Sequence, residues 1–401
     1  MKGTFLGYER ENKTIGTRNY VLIIPMKKSL NFIAKEINHL VVGTKAVMNL
    51  GQFRPKYDRL ILQRIFVGLG INPNTSSVLL LVTEKNKGYE ELKEEHIAKL
   101  IAQSGKRVEI LYEEECGGIY GLLGKGIKLT REMVVEASRC RRESFGIEHL
   151  SVAVKCGISD LTSGISGNPT VGKVFDKIIG YGGTCFFSET TEIIGAEHIL
   201  TKRAKNEEVA QKILTTVNTL EEAGKSVGID IAAINPIPEN IAGGISTLEE
   251  KSLGSIKKSG TSTIEDVLQY AERPTKKGLY FMASPPSSLT VPIAFSAAGA
   301  TIFIFQVGGG GLSEIDPAIA AYNTSVITPF MYITGNSNTF EKAYTDIDFN
   351  SGLVFEGKET LEEASERLLE KIIDVASGTK TKLEVLNYED PIELNFQGPQ
   401  I

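Results

Sequence analysis

Short apolar, β-rich runs alternate with helical patterns along this 401-residue chain, and that alternation restricts the fold more than any other feature. Runs at Tyr20–Pro25, Ser77–Val82, Val108–Tyr112 and Leu150–Val154 are separated by helical periodicity near Leu30–Leu40, Tyr57–Val67, Glu90–Gln103 and Lys128–Arg142. Strands that are apolar almost throughout and joined by helices form βαβ units, whose crossovers make a sheet parallel and cover both its faces. A second series follows: a strand at Thr184–Ser188, a helix at Glu207–Gly224, strands at Leu279–Met282 and Thr301–Val307, and a last helix at Thr360–Ala376 stopped near Gly378. The pattern predicts an α/β protein made of two Rossmann-like parallel-sheet halves packed around a shared cleft. A chain of 401 residues is too long for one ordinary core. The basic helix end at Arg142 precedes a new strand, which divides the chain into an N-terminal α/β domain, 1–145, and a C-terminal α/β domain, 146–401.

A net charge of −5 argues against a nucleic-acid or anionic-membrane partner, and a small anionic substrate then requires local positive charge or a metal. Cys116, Cys140, Cys156 and Cys185 are irregularly spaced, with no Cys-x-x-Cys, so neither a disulfide framework nor a zinc ribbon is indicated. That usage suits a reducing, cytoplasmic compartment. The amino terminus lacks an apolar signal region, and no apolar stretch reaches the length of a membrane span.

In a parallel sheet, ligands bind beyond the carboxyl ends of the strands. The block Val154–Pro169 stands at such an end, with Cys156, Ser159 and Asp160 in a small-residue loop. Asn168 and Pro169 read as the N-cap and first position of a helix whose free amides would face the same loop and suit an anion. After the next strand, Glu189, Glu192, Glu197 and His198 are close enough for two or three to converge on a divalent ion or a substrate hydroxyl; alternatively, Glu197 and His198 begin a helix and face water. The run Gly308–Gly311 follows a strand and either approaches an anion with its amides or makes a tight turn. The segment 346–352 has two readings as well. Asp346 and Asp348 either share one face of a strand, as a second source of carboxylates, or belong to an Asx-rich turn with Asn350. The stretch 235–244, rich in Pro and Gly, reads as a long functional loop.

Several blocks in order resemble the altronate and galactarate dehydratase family, which also includes the large subunit of sulfolactate sulfo-lyase. They are Gly7–Arg10 with Gly16–Tyr20, Lys155–Pro169, Ser188–Glu192, Gly195–His198, Asn235–Pro236 with Gly243–Gly244, Glu250–Gly254 and Asp346–Gly352. The resemblance implies a carbon–oxygen lyase that dehydrates a sugar acid, hexonate or aldarate, to a 2-keto-3-deoxy acid with help from a divalent metal, iron or manganese. It implies catalytic duty for Lys155, Glu189, Glu192 and His198, with Glu192 and His198 as metal ligands. Cys156, Ser159, Asp160, Asn168, Asn240, Asp348 and Asn350 are then expected at the substrate. Family members typically carry a cysteine after the first strand, a Thr-His-x-x-Gly-Cys-Gly motif and a later Gly-Cys-Glu. Here those places read Met26–Ser29, Thr44–Asn49 and Val82–Lys85, without the cysteines or the histidine. Lys28 and Lys45 are expected to bind a substrate carboxylate directly, an ammonium standing in for the metal's charge. Single-chain members carry a small β-rich domain ahead of the first block. This chain therefore resembles the large subunit of a split enzyme, with a separate small β-rich subunit and a homo-oligomeric assembly expected. Alternatives are a carbon–sulfur lyase acting on a sulfonated hydroxy acid, and a metal-free paralogue acting as an acid-binding or regulatory subunit.

Overall fold

The computed structural model describes residues 3–49, 55–85, 87–309, 324–386 and 393–397. With strands numbered in chain order, the N-terminal half is a four-stranded sheet in the order β4–β3–β5–β6, comprising β3 (Tyr20–Pro25), β4 (Thr44–Ala46), β5 (Thr75–Val82) and β6 (Val108–Tyr112). The C-terminal half is a seven-stranded sheet in the order β10–β11–β9–β8–β12–β13–β14. Its members are β8 (Ser151–Gly157), β9 (Thr184–Ser188), β10 (Ile264–Leu268), β11 (Gly278–Met282), β12 (Ile302–Val307), β13 (Phe330–Thr334) and β14 (Phe349–Asn350). Every pairing in both sheets is parallel. A small antiparallel sheet of β1 (Thr4–Glu9), β2 (Ile15–Gly16) and β7 (Glu143–Gly146) joins the start of the chain to the segment that leads into β8.

β3 and β12 are buried along almost their whole length, which explains why these runs carry no polar alternation. One apolar core lies between the two parallel sheets and contains residues of both, among them Leu22, Phe66, Phe295 and Phe303. There helix Lys56–Ile71 meets helix Val291–Ala298, and a Cβ on Gly68 would fall 2.4 Å from the Ala297 carbonyl oxygen. Glycine is what permits this approach. Asn74, fully buried, ties the halves by accepting from the Thr17 amide at 2.7 Å and donating to the Thr301 carbonyl at 3.1 Å. Near the carboxyl end of the chain, Glu384 forms a two-pronged ion pair with Arg18, both bonds at 2.7 Å.

Two sequence expectations change. The helix expected from Lys128 begins at Ile119, and the stretch 235–244 holds the short helix Pro238–Ala242. Helix Val291–Ala298 went unrecognised because it is buried on all sides and has no polar face to set a period.

The strand order places the site. From β8 the chain crosses to β9 on one side, whereas β12 pairs on the other side of β8 and leads on to β13. The carboxyl ends of β8 and β12 therefore flank a topological switch point, where connections diverge and leave a crevice.

Candidate active site

β8 and β12 run in register, with Gln306 opposite Cys156 and Val307 opposite Gly157. The chain leaves β8 through Ile158, whose φ of +47° is costly for a β-branched residue. Gly308 and Gly309 follow β12, and the Gly309 amide bonds the Ile158 carbonyl at 2.9 Å. Gly310 and Gly311 lie outside the described residues.

Helical structure resumes at Leu161, and Asp160 supplies the cap. Its Oδ1 accepts from the Thr162 hydroxyl at 2.6 Å and the Ser163 amide at 3.1 Å, and its Oδ2 accepts from Asn336 at 3.0 Å. The expected N-cap role of Asn168 is therefore corrected. A π-helical turn, Ser163–Gly167, leads directly into helix Asn168–Gly180, so Asn168 is already helical and its side chain is released from capping.

That side chain faces a cavity of about 270 Å³ lined by Ser159, Asp160, Asn168, Lys251 and Ser255. The buried Ser159 Oγ and Asn168 Oδ1 have no protein partner, so the wall offers unused hydrogen-bonding capacity to a ligand. Lys251 supplies a cation. Its ammonium is steered by Asn235 at 2.7 Å and Asn240 at 2.9 Å, and Asn240 also donates to the Ser159 carbonyl at 2.8 Å.

Behind the Ser255 wall lies a buried cluster of charged groups and a thiol. Glu189 follows β9 at φ +79°, a left-handed conformation that turns the chain into the 3₁₀ turn Thr190–Glu192. Helix Leu248–Ser255, capped by the Thr247 hydroxyl, buries Leu248, Ser252 and Ser255 on one face and passes into the turn Ile256–Ser259, which carries Lys258 inward. The Lys258 ammonium contacts the Glu192 carboxylate and lies 3.2 Å from the Cys156 sulfur. The thiol reaches Glu192 Oε2 at 3.1 Å and Ser255 Oγ at 3.4 Å. Lys155 stands 3.1 Å from Glu189 Oε1 as an ion pair, but off hydrogen-bonding geometry, so neither Glu189 oxygen accepts a protein hydrogen bond.

The two carboxyls are driven apart in acidity. Burial, then repulsion from Glu192, pushes Glu189 up to about 8. Burial opposes the charge on Glu192, but Lys258, Lys251 and Lys155 pull it down to about 2. Burial and Glu192 also raise the Cys156 thiol. Near neutral pH the cluster thus contains one protonated acid, one carboxylate and a thiol, the pattern of a site that stores and moves a proton.

Cys156, Glu189 and Glu192 place a ligand atom each within 4.8 Å of one another, the one such group among the described residues. The set does not fit a divalent ion. Lys258 already contacts two of the three donors and Lys155 faces the third, while burial keeps the thiol protonated.

The remaining expected residues lie elsewhere. His198 is exposed on helix Glu197–Thr201 and is not part of this group, so its expected metal role is corrected, while Glu197 is half-buried and accepts from the Gly195 amide at 2.8 Å. Lys28 is exposed. Lys45 is buried on β4 with its ammonium 5.3 Å from the Tyr20 ring centroid, and neither lysine lines the cavity. Asp348 accepts from the Tyr332 amide at 3.1 Å and the Lys382 amide at 3.0 Å, and Asn350 Oδ1 accepts from Gly352 at 2.7 Å. Neither lines the cavity: Asp348 ties together backbone from distant segments, and Asn350 alone makes an Asx-type turn. Lys258, Lys251 and Ser255 were not anticipated. Lys251 lies within the block Glu250–Gly254, and the trace of Ser255 is the spacing of Leu248, Ser252 and Ser255, a helical face on which small polar residues replace apolar ones.

The family model described as "D-galactarate/Altronate dehydratase, C-terminal" matches residues 147–396, and the one described as "D-galactarate dehydratase/Altronate hydrolase, second domain" matches residues 7–138. The (2R)-sulfolactate sulfo-lyase subunit beta of Chromohalobacter salexigens is 31% identical over 394 residues, covering 97% of each chain. The altronate dehydratase of Bacillus subtilis is 32% identical over 96% of this chain and 75% of its own, and the galactarate dehydratase (L-threo-forming) of Escherichia coli is 28% identical over 94% and 73%. With both halves matched in order and the strand-end blocks in one crevice, this chain belongs to the D-galactarate/altronate dehydratase family.

Proposed function

We propose that the chain is a carbon–oxygen lyase that removes water from a sugar acid to give a 2-keto-3-deoxy acid. One observation carries the reading: Ser255 on the cavity wall connects through Cys156 to the buried pair Glu192 and Glu189, which hold one proton between two very different acidities. Lys251 would anchor the substrate carboxylate and, with the free Ser159 and Asn168 groups, stabilise the enediolate that forms when the C2 proton leaves. That proton enters the relay at Ser255. The hydroxyl on C3 departs as water after taking a proton held at Glu189, and the enol product tautomerises to the ketone.

The test is turnover of a panel of hexonates and aldarates in deuterium oxide. The reading expects a 2-keto-3-deoxy acid labelled at C3, and an absence of product across the panel counts against it.

A second reading has its own support, because the match to the sulfo-lyase subunit spans nearly the whole of both chains. In that case a sulfonate leaves as sulfite from the position the hydroxyl would hold, and a separate small subunit completes the enzyme. Release of sulfite from sulfolactate, with and without a co-expressed small subunit, separates the two.

A further inference from the structure

A second cavity, of about 370 Å³, lies at the seam of the two halves, where residues Lys13–Ile15 and Pro73 meet the amino ends of β8, β9 and β12. It is lined by Arg273, Lys13, Lys276, Lys277 and His149, with the Thr301 hydroxyl among its neutral groups, and no carboxylate is among its lining residues. In a chain with 49 acidic against 44 basic residues, a wall of four cations without an acid is a marked segregation of charge. Lys13 lies 3.4 Å from Glu9 and His149 3.8 Å from Glu148, but neither carboxylate reaches the wall.

Arg273 is the key residue. Its Nη1 is sealed from solvent without a hydrogen-bond partner, and the guanidinium has no protein hydrogen bond or ion pair among the described residues. Room for it is made by Gly299, which ends helix Val291–Ala298 at φ +105° and where a Cβ would fall 3.0 Å from Arg273 Cζ. Positive charge continues behind it. The buried Lys106 amine donates to the Gly70 carbonyl at 2.9 Å, and burial, then the charges of Arg10 and Arg273, drive its pKa well below that of an ordinary lysine. Arg10 is itself fixed to the Pro73 carbonyl at 2.7 Å. A partly buried guanidinium with a sealed and unused donor at Nη1, close enough to Lys106 to press on its proton, is costly unless an anion completes it.

We propose that this cavity is a binding site for a small oxyanion carrying two or more negative charges, a phosphate or a dicarboxylate, separate from the candidate active site. Ser151, at its wall, begins β8, whereas Cys156 stands near the other end of that strand, so the sites are on the order of 20 Å apart. Lysines at the mouth attract the anion, and Arg273 receives it by charge-assisted hydrogen bonds.

The experiment measures binding of inorganic phosphate and of malonate to the full chain by calorimetry, with chloride at equal ionic strength as reference, in the wild type, Arg273→Met and Lys276→Ala/Lys277→Ala. Saturable binding that weakens about tenfold or more in Arg273→Met and measurably in the lysine pair is expected. Phosphate binding alone assigns a phosphate group, and equal binding of malonate assigns charge as the sole criterion. The proposal is overturned if neither anion binds better than chloride or if both variants keep wild-type affinity. Should Arg273→Met fail to fold, the surface lysine pair decides, and unchanged affinity there overturns it.

Discussion

The Lys258 ammonium touches the Glu192 carboxylate and lies 3.2 Å from the Cys156 sulfur, in a shell where all three residues are buried. The charge of each partner is tolerable only because the other is present. Lys258→Met should therefore destabilise the fold by about 3–5 kcal/mol, and adding Glu192→Gln should recover much of that loss. Urea unfolding of the two variants checks this; equal stability of single and double variants would contradict it.

Acidity gives a second expectation, with opposite signs for the two carboxyls. Glu189 titrates at about 8 in the fold against 4.5 for the free group, so the unfolded chain gives up this proton first. Its contribution is fully present below about pH 4.5 and declines as pH rises to about 8. For Glu192, lowered to about 2, the contribution is present above 4.5 and lost as pH falls toward 2. Glu189→Gln should thus gain stability relative to wild type as pH rises from about 5 to about 8, measured by denaturant midpoints. A pH-independent difference would refute the assignment.

Breaking the link between cavity and cluster should separate binding from turnover. In Ser255→Ala the hydroxyl 3.4 Å from Cys156 is gone, while Lys251, Ser159 and Asn168 remain. Once the substrate acid is known, kcat should fall on the order of 10²-fold with KM little changed. A raised KM at constant kcat would instead make Ser255 a binding group.

Lys251 and His198 make a paired comparison. Lys251→Met should weaken acid binding by about tenfold or more, because the charged anchor of the cavity is lost. His198→Ala, at an exposed helix position, should change stability by no more than about 0.5 kcal/mol and leave acid binding alone. Calorimetry with the turned-over acid reads both.

The parallel sheets were legible because β3, β6 and β9 coincide with apolar runs whose ends are marked by polar residues. The crevice was legible too: Lys155, Cys156, Ser159, Asp160, Asn168, Glu189, Glu192 and Asn240 all lie at the cavity or in the groups behind and beside it. What sequence reasoning missed is the pairing of charges. Lys258 looks like one of two solvated lysines in Lys257-Lys258, and only the tertiary turn after Ser255 distinguishes the buried one. His198 misled for the converse reason: its chemistry suits a metal, but its helix points it outward. The π-helical turn that releases Asn168 has no local signature, since Asn-Pro at a helix start is the ordinary pattern for a cap.

The bond between Arg18 and Glu384 joins residues 366 positions apart. A ribosome emits the arginine 366 residues before the glutamate, and vectorial synthesis lets the N-terminal sheet assemble long before that carboxylate exists. During this interval the guanidinium lacks the partner that justifies its burial. The N-terminal half is thus completed only after the seven-stranded sheet has been made, and the segment that carries Glu384 acts as its clasp.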